Sequence, residues 1–480
     1  MAGGDVAVAR ANGIGNFNTL TFDTDATLAT ATLIATAIND PAITPPGTLT
    51  PITLPDAAPT QVPAGNTGEA IIPTTATTGA SFDTTNLSAL GYQYVVDAAT
   101  VPVAITLGLD QTLLVNTSTG TGSVIGAGGN TIVEGGGGNT VALAGDNNRL
   151  YLADGPDTVD AGSSGFSTIY GGTGDTTING SSGTGNVDFL SATSNVVNQG
   201  SGASTIVSGA GTATISGGTG TDLIFGSTGA EVINSGSGSL TLVMAASQAA
   251  SLTGGESSPT VFGAGGSDLT YGGGAGVLYV AGDGNETLNA ATSTGGDTVF
   301  GGSGADSISA GSGSLTFVAS ANQTATIAGG TAGTTLVGNA GSDLTYAGSG
   351  PALYVAGGGN ETLNASASTG NNALFGGSGP DSIAAGSGND TVVAGTGVIS
   401  ATGGSGADVF AFFKGQVGSG NADVISSFDT KDVVLLSGYG PDGVASSVTG
   451  GGNTTITLSD STTITFAGVT TLNPNQIVST

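Results

Sequence analysis

The chain has no cysteine, histidine or tryptophan among its 480 residues. Without histidine or cysteine it cannot form a Ser-His-Asp or Cys-His nucleophile, a thiolate metal site or a histidine-ligated zinc site. These absences exclude most hydrolase and redox chemistries. The lack of cysteine also excludes disulfides, which is compatible with a secreted protein but does not identify the compartment.

Basic residues are almost as scarce, with 4 Lys and Arg against 34 Asp and Glu and a net charge of −30. A surface of this sign repels nucleic-acid phosphates and anionic membranes, so we expect no nucleic-acid partner and no membrane insertion. The N-terminus shows no basic start followed by an apolar core, so no secretory signal peptide is predicted there. Export would need another signal.

Glycine is abundant, with 89 residues, and much of it falls in a nonapeptide that recurs from about residue 120 to residue 411. The copies that begin at Gly217, Gly301 and Gly403 read GGTGTDLIF, GGSGADSIS and GGSGADVFA. Each copy joins a glycine turn, which tolerates positive φ, to an aspartate and a short stretch with an apolar residue. The unit predicts one turn and one strand of a parallel solenoid.

This nonapeptide resembles the repeat of the RTX family, the hemolysin-type calcium-binding repeat of type I secreted bacterial proteins. The resemblance implies an all-β fold: a parallel β-roll or β-helix solenoid with a C-terminal antiparallel β cap. It also implies that two nonapeptides form one turn, and that calcium lies between stacked turns, held by carboxylates and turn carbonyls. Calcium prefers six to eight oxygen ligands, so Ca²⁺ is the expected cofactor.

The spacing of acidic residues can be compared with that implied ladder. Asp268 and Glu286 are 18 residues apart, and Asp306 follows after 20. The same spacing recurs 75 residues later with Asp343, Glu361 and Asp381. Asp390 and Asp408 form a further 18-residue pair, which is expected on the opposite edge. The candidate calcium ligands are Asp157, Asp222, Asp268, Glu286, Asp297, Asp306, Asp343, Glu361, Asp381, Asp390 and Asp408. The alternative is that Asp, Asn, Ser and Thr form hydrogen-bonded turn ladders without metal.

Composition divides the chain into three regions. Residues 1–95 form an N-terminal segment with a Pro-rich linker and a strand-like pattern at Phe17, Leu20 and Phe22. Residues 96–411 form the solenoid, in which the phase of the strand at residues 268–271 is expected to rotate. Residues 412–480 resemble the C-terminal type I secretion domain, and are predicted to carry the export signal, to cap the solenoid, or both.

Three function classes remain open. The first is an extracellular or cell-surface structural protein, such as an S-layer, fibril or biofilm component, that associates with itself and uses the type I secretion machinery. The second is an adhesin or an ice- or carbohydrate-binding module, with cell-surface polysaccharide as a partner. A polysaccharide-active enzyme is the third, although the acidic pairs fall in repeat turns, so we predict that the protein is not an enzyme.

Overall fold

The computed structural model describes residues 4–8, 18–22, 29, 31–32, 49–55, 59–115, 122–134, 138–152, 155–162, 166–180, 182, 186–190, 194–416 and 420–480. The chain divides into two compact units, Met1–Leu242 and Val243–Thr480. The strand-like pattern of the N-terminus corresponds to a strand, Asn18–Phe22, paired antiparallel with Gly4–Val8. Phe17 lies outside the described residues.

The described part of unit 1 is built almost entirely of short strands, and helix α1 lies at Thr85–Ala89. Its strands are β1 Gly4–Val8, β2 Asn18–Phe22, β3 Leu49–Thr53, β4 Thr67–Ile72, β5 Ser81–Asp83, β6 Tyr92–Asp97, β7 Ala104–Thr106, β8 Thr112–Val115, β9 Ser123–Gly126, β10 Thr131–Val133, β11 Thr140–Leu143, β12 Asn148–Tyr151, β13 Asp157–Asp160, β14 Ser167–Tyr170, β15 Thr176–Asn179, β16 Asn186–Phe189, β17 Asn195–Asn198, β18 Ser204–Val207, β19 Ala213–Ser216, β20 Thr221–Phe225 and β21 Glu231–Asn234, and β22 Ser239–Val243 spans the unit boundary.

Unit 2 continues with strands of the same length and adds a 3₁₀ helix at Pro474–Gln476. Its strands are β23 Ala249–Thr253, β24 Thr260–Phe262, β25 Asp268–Gly272, β26 Leu278–Val280, β27 Thr287–Asn289, β28 Asp297–Phe300, β29 Ala305–Ser309, β30 Leu315–Val318, β31 Thr324–Ala328, β32 Thr334–Val337, β33 Asp343–Ala347, β34 Ala352–Val355, β35 Thr362–Asn364, β36 Ala373–Phe375, β37 Asp381–Gly386, β38 Thr391–Val393, β39 Ile399–Gly404, β40 Val409–Phe413, β41 Ala422–Ser426, β42 Val433–Ser437, β43 Val444–Gly450, β44 Asn453–Leu458, β45 Thr463–Phe466 and β46 Ile477–Ser479.

Within each unit, from β4 to β40, the pairing is parallel and joins each strand to the strand two positions later, so one solenoid turn contains two strands. In unit 1, for example, β18 pairs with β20 and places Ile206 beside Ile224. The even-numbered strands from β4 onward, except β44, form one sheet together with β3, called sheet I, and the odd-numbered strands from β5 onward form the other together with β44, called sheet II. This confirms the predicted all-β parallel solenoid.

The apolar positions predicted from the repeat are the core. They are at most 2% exposed, because alternate strand residues point between the two sheets. They comprise Ile224, Ile233, Leu242, Leu288, Val299, Ile308, Phe317, Leu363, Leu374, Ile383, Val392 and Phe410. The expected rotation is also present, since Leu269 and Tyr271 are buried and Thr270 is exposed.

The parallel array begins earlier than the composition indicated. Strand β3 pairs with β4, and β4 pairs with β6, so the solenoid reaches Leu49 inside the segment described above as the N-terminal region with its linker. Pro51 is accommodated because it is exposed on β3, the first strand of the sheet, where a missing N–H costs little. Burial of Ile71, Ile72 and Val95 anchors these turns.

The C-terminal region combines two arrangements. Strands β41 and β42 still pair in parallel with β39 and β40, which differs from the antiparallel pairing expected for residues 422–436. The antiparallel cap implied by the resemblance is present as the meander β43–β44–β45, whose last turn contains Ser459 and Asp460. Within the described ranges, no helix has the length and apolar character needed to span a bilayer.

The outward faces of the two sheets in unit 2 differ in chemistry. Sheet I carries two in-register rows of outward side chains. The apolar row consists of Phe262, Val280, Phe300, Val318, Val337, Val355, Phe375 and Val393. The threonine-rich row beside it consists of Thr260, Leu278, Thr298, Thr316, Thr335, Leu353, Ala373 and Thr391. Sheet II instead aligns polar residues such as Thr287, Ser307 and Thr326.

Candidate metal centre

A ladder of hydrogen bonds from backbone to side chain runs along one edge of sheet I in unit 2. The Ala352 N–H donates to Asn372 Oδ1 at 3.1 Å, and the Asn372 N–H donates to Asp390 Oδ1 at 2.7 Å. The Asp390 N–H donates to Asp408 Oδ1, and the Asp408 N–H donates to Asp432 Oδ1, both at 2.9 Å. The predicted 18-residue pair, Asp390 and Asp408, is therefore brought together on successive turns.

The edge of sheet II carries a second, interrupted ladder. The Glu286 N–H donates to Asp306 Oδ1 at 3.1 Å, and 75 residues later the Glu361 N–H donates to Asp381 Oδ1 at 3.2 Å. The 20-residue spacing in the sequence thus still places consecutive acidic residues on neighbouring turns. Both glutamates bury their carboxylate oxygens without a hydrogen-bond partner.

Each residue that accepts a ladder hydrogen bond is called a rung, and glycine turns let successive rungs approach closely. Gly404 and Gly406 adopt φ values of +98° and +145°, and a Cβ on them would lie 1.9 Å from Gly386 O and 2.0 Å from Gly388 O. A Cβ on Gly403 would lie 2.5 Å from Asp408 Oδ2. The turn therefore packs carbonyl oxygens of one repeat against the glycines of the next, with the aspartate side chain folded beneath its own turn.

Asparagine and aspartate rungs of the sheet I ladder differ in their second side-chain atom. Asn372 Nδ2 donates to Ala385 O and to Ser368 Oγ, both at 3.2 Å. The Oδ2 atoms of Asp390 and Asp408 are buried and have no hydrogen-bond partner. A buried carboxylate oxygen in this condition is costly unless a proton or a cation satisfies it.

Burial raises the pKa values of these carboxyl groups. For Asp408 the pKa rises to about 6, because burial disfavours the charge and the carboxylates of Asp432 and Asp390 add repulsion. The pKa of Glu286 and of Glu361 likewise rises to about 7, because burial disfavours the charge and the adjacent Asp306 or Asp381 carboxyl adds to the shift. Groups in this state favour any ligand that supplies positive charge.

The donor set fits a hard cation. Carboxylate oxygens without partners and stacked turn carbonyls are the ligands that calcium prefers. Within the described part of the chain, no group of three or more acidic side chains could enclose a metal ion. Calcium bound at these edges would therefore use one or two carboxylates and complete its shell with backbone carbonyls and water.

The two candidates in unit 1 have similar surroundings. Asp157 accepts a hydrogen bond from the Asn139 N–H at 2.9 Å, and burial raises its pKa to about 7. Asp222 accepts a hydrogen bond from Ser204 Oγ at 2.5 Å. In both residues Oδ2 is buried without a partner.

Three other candidates do not have a buried Oδ2 atom that lacks a partner. Asp268 and Asp343 are exposed and outside the ladder, because the rotated strand places Ser267 and Ser342 at the buried position instead. Asp297 is buried, but its Oδ1 accepts hydrogen bonds from the Val277 N–H and from Ser293 Oγ, both at 3.0 Å.

Several buried acidic residues were not among the candidates. Asp432 ends the sheet I ladder, and Asp423 accepts from the Ile399 N–H at 2.9 Å on the other edge. Both are followed by apolar residues, as in the repeat. The repeat spacing misses them because each lies 24 residues after its partner on the preceding turn, and not 18 or 20. Glu134 is fully buried with both carboxylate oxygens unpartnered, and Asp188 lies in register between Ile169 and Ile206. Neither Glu134 nor Asp188 stands at the aspartate position of the glycine-rich nonapeptide, so the repeat does not predict them as ladder residues.

The profile of the RTX calcium-binding nonapeptide repeat matches four segments of the chain: residues 161–187, 200–239, 280–314 and 366–398. The chain carries RTX repeats. One matched segment of unit 2 contains the pair of Glu286 and Asp306, and the other contains Asp381 and Asp390, one residue from each of the two ladders. The cofactor of these RTX repeats is calcium, and the chain is a calcium-binding β-solenoid. No curated protein matches the chain.

Proposed function

We propose that this RTX protein is a secreted structural component of the bacterial cell surface or extracellular matrix, such as an S-layer, fibril or biofilm protein. The observation that supports it is the aspartate ladder, which runs from the repeats through Asp408 into Asp432 of the C-terminal region. Calcium bound there would tie the last repeats of unit 2 to the C-terminal region. The proposed role is structural and requires no substrate.

In this proposal the ligands are Asp390, Asp408 and Asp432 on the sheet I edge, and the carboxylate pairs of Glu286 and Glu361 on the sheet II edge. Calcium would supply positive charge to the carboxylate oxygens of Asp390, Asp408, Glu286 and Glu361 that otherwise stay unsatisfied. Asp432 differs, because both of its carboxylate oxygens already accept backbone hydrogen bonds. Because the ion binds only stacked turns, its binding free energy adds to folding. Extracellular calcium modules bind at about 10⁻⁴–10⁻³ M, so low cytosolic calcium would leave the ladder unstable until export.

Residues 412–480 would carry the export signal of the type I pathway. Deletion of these residues should retain the protein inside the cell, and fusion of the segment to a passenger should permit release. The matched control is a full-length chain with Asp432→Asn, which weakens the ladder but keeps the segment. Normal secretion of the truncated chain would limit the segment to capping.

A second candidate, an adhesin or carbohydrate-binding module, is favoured by one groove of about 550 Å³ on sheet I of unit 2. Its lining includes Thr335, Leu353, Asn371, Asn389 and Thr391, and so offers amide and hydroxyl groups to sugar hydroxyls. It contains no carboxylate, which disfavours the glycosidase-type chemistry of paired acids at this position. Glycan-array binding that is lost in Asn371→Ala would favour this candidate.

The structural proposal is tested by imaging and melting of the purified full chain with and without millimolar calcium. We expect a higher melting temperature, stoichiometric bound calcium by elemental analysis, and ordered sheets or filaments in negative stain. Unchanged circular dichroism after chelation, together with no bound metal, would contradict the calcium ladder. Monomeric particles under every condition would contradict the structural role while leaving calcium binding intact.

A further inference from the structure

The outward face of sheet I in unit 2 is an unusual surface for a chain with a net charge of −30. Neither the apolar row nor the threonine-rich row contains a charged residue. The phenylalanines of the apolar row are well exposed: Phe262 at 42%, Phe300 at 43% and Phe375 at 38%. The largest apolar patch on a soluble protein is often a functional surface.

We propose that this face is a self-association surface on which a second copy of the chain packs face to face, in the antiparallel direction. The inference deepens the structural role proposed above, and rests on it, by naming the surface through which copies meet. A two-fold interface requires one patch to be complementary to itself.

The order of residues in the apolar row satisfies that requirement. Along the strands it reads Phe, Val, Phe, Val, Val, Val, Phe, Val, from Phe262 to Val393. When the row is reversed against itself with full overlap, Phe262 meets Val393, Phe300 meets Val355, and every phenylalanine faces a valine. No pair of phenylalanines collides, so large and small side chains interdigitate, as they do between packed sheets.

The threonine-rich row has the same property. Reversed on itself, it places Leu278 opposite Ala373 and Leu353 opposite Thr298, with threonines facing threonines elsewhere. A two-fold axis parallel to the strands, between β30 and β32, aligns both rows at once. Face-to-face sheets lie about 10 Å apart, which such side chains fill.

The size of the patch predicts a weak contact. Eight strands at about 4.8 Å spacing give a length of roughly 34 Å, and two rows give a width of roughly 10 Å. Each copy would then bury roughly 350 Å², below the area of a typical stable dimer. A contact of this strength suits reversible lateral assembly, and screening by calcium or salt is needed because self-repulsion opposes it.

The first test is sedimentation velocity of the full chain over a concentration series, with millimolar calcium and moderate salt. Replacement of Phe262, Phe300 and Phe375 by Thr, a residue already frequent on this face, should weaken association at least about tenfold. The matched control is Val232→Thr, an exposed valine of unit 1 outside the face. Calcium-dependent melting should be unchanged in both variants. Undiminished association of the triple variant would overturn the proposal.

The second test fixes the register and uses the absence of native cysteine. Chains with Val318→Cys and chains with Val337→Cys, distinguished by a tag, should cross-link with a short bismaleimide, since these valines face each other across the axis. Val318→Cys mixed with Val393→Cys should cross-link several-fold less. Equal yields from both mixtures, or no cross-linking in either, would overturn the antiparallel packing. In either case the calcium response of melting remains a separate readout of the function proposed above.

Discussion

In unit 1 the buried edge position of β12 is an asparagine, whereas in unit 2 the corresponding rungs near the C-terminus are aspartates. Asn148 accepts a hydrogen bond from the Asn130 N–H at 3.1 Å, and its Nδ2 donates to Gly145 O at 2.6 Å. Asp408 accepts the same type of backbone hydrogen bond from Asp390, but its Oδ2 has no donor. One rung is complete within the protein, and the other leaves a buried oxygen that a proton or a cation would satisfy.

This comparison shows how one backbone ladder serves two purposes. The hydrogen bond from the preceding turn is common to both residues and sets the register. The other terminal atom of the side chain differs between the two residues. In asparagine it is Nδ2, which donates to a turn carbonyl, and in aspartate it is a second oxygen, Oδ2, which cannot donate. The two alternatives from the sequence, a metal-free ladder and a calcium ladder, therefore need not exclude each other: asparagine rungs suit the first and aspartate rungs suit the second.

The largest effect that sharpens the comparison is withdrawal of calcium from the full chain. An ion present at 100 times its dissociation constant stabilises the folded state by about 2.7 kcal/mol, and the proposal places several such ions in unit 2. Exhaustive chelation should therefore increase hydrogen exchange in β37–β42 far more than in β10 and β12. Equal increases in the two regions, measured by mass spectrometry, would remove the distinction between the rungs.

A single rung can be converted by Asp408→Asn. The backbone hydrogen bond from Asp390 is preserved, while the carboxylate is lost, so the variant should fold but lose roughly one ion's stabilisation, about 2–3 kcal/mol in saturating calcium. The measurement is calcium stoichiometry and melting temperature. Asp268→Asn is the control, because Asp268 is exposed and outside the ladder, and it should leave both quantities unchanged.

The sequence was sufficient to predict the solenoid, its core and the 18- and 20-residue pairs, because a fixed repeat determines which residues stack. It failed to predict what local changes do to the ligands. The rotation at residues 268–271 is expected from the sequence, but it also exposes the candidate Asp268. A 24-residue spacing conceals that Asp432 continues the ladder of Asp408. The early turns around Ile71 lack the glycine motif, so only pairing reveals them.

The reverse conversion, Asn148→Asp, should break a complete rung of unit 1. It removes the hydrogen bond to Gly145 O and buries an unpaired oxygen, which costs about 1–3 kcal/mol without calcium. Added calcium should recover part of that loss. Asn234→Asp is the matched control, because Asn234 is exposed and accepts through Oδ1 from the Gly236 N–H, as an aspartate also can. A loss in both variants alike would mean that burial of the rung is irrelevant.

The smallest effect concerns a carboxyl group outside any ladder, Asp188. It lies between Ile169 and Ile206 with Gln199 Nε2 at 3.3 Å from Oδ2, and burial raises its pKa to about 7, with Asp222 as the nearby like charge. An unfolded aspartate titrates near 3.9. Between these values only the folded form holds the proton, so the free energy of unfolding falls as pH rises from about 4 to 7.

Lowering the pH from 7 to 6 in the presence of chelator should therefore raise the contribution of Asp188 to stability by about 1 kcal/mol. Asp188→Ile, which restores the apolar column, should be more stable than the parent at pH 7.5, and the difference should shrink at pH 6. The comparison of variant and parent at each pH removes contributions from other titrating groups such as Asp157. Asp160→Asn, an exposed site on β13, should show no such convergence. A stability gain for Asp188→Ile that is independent of pH would mean that this carboxyl group is charged in the folded core, and that Gln199 suffices to hold it without a proton or a cation.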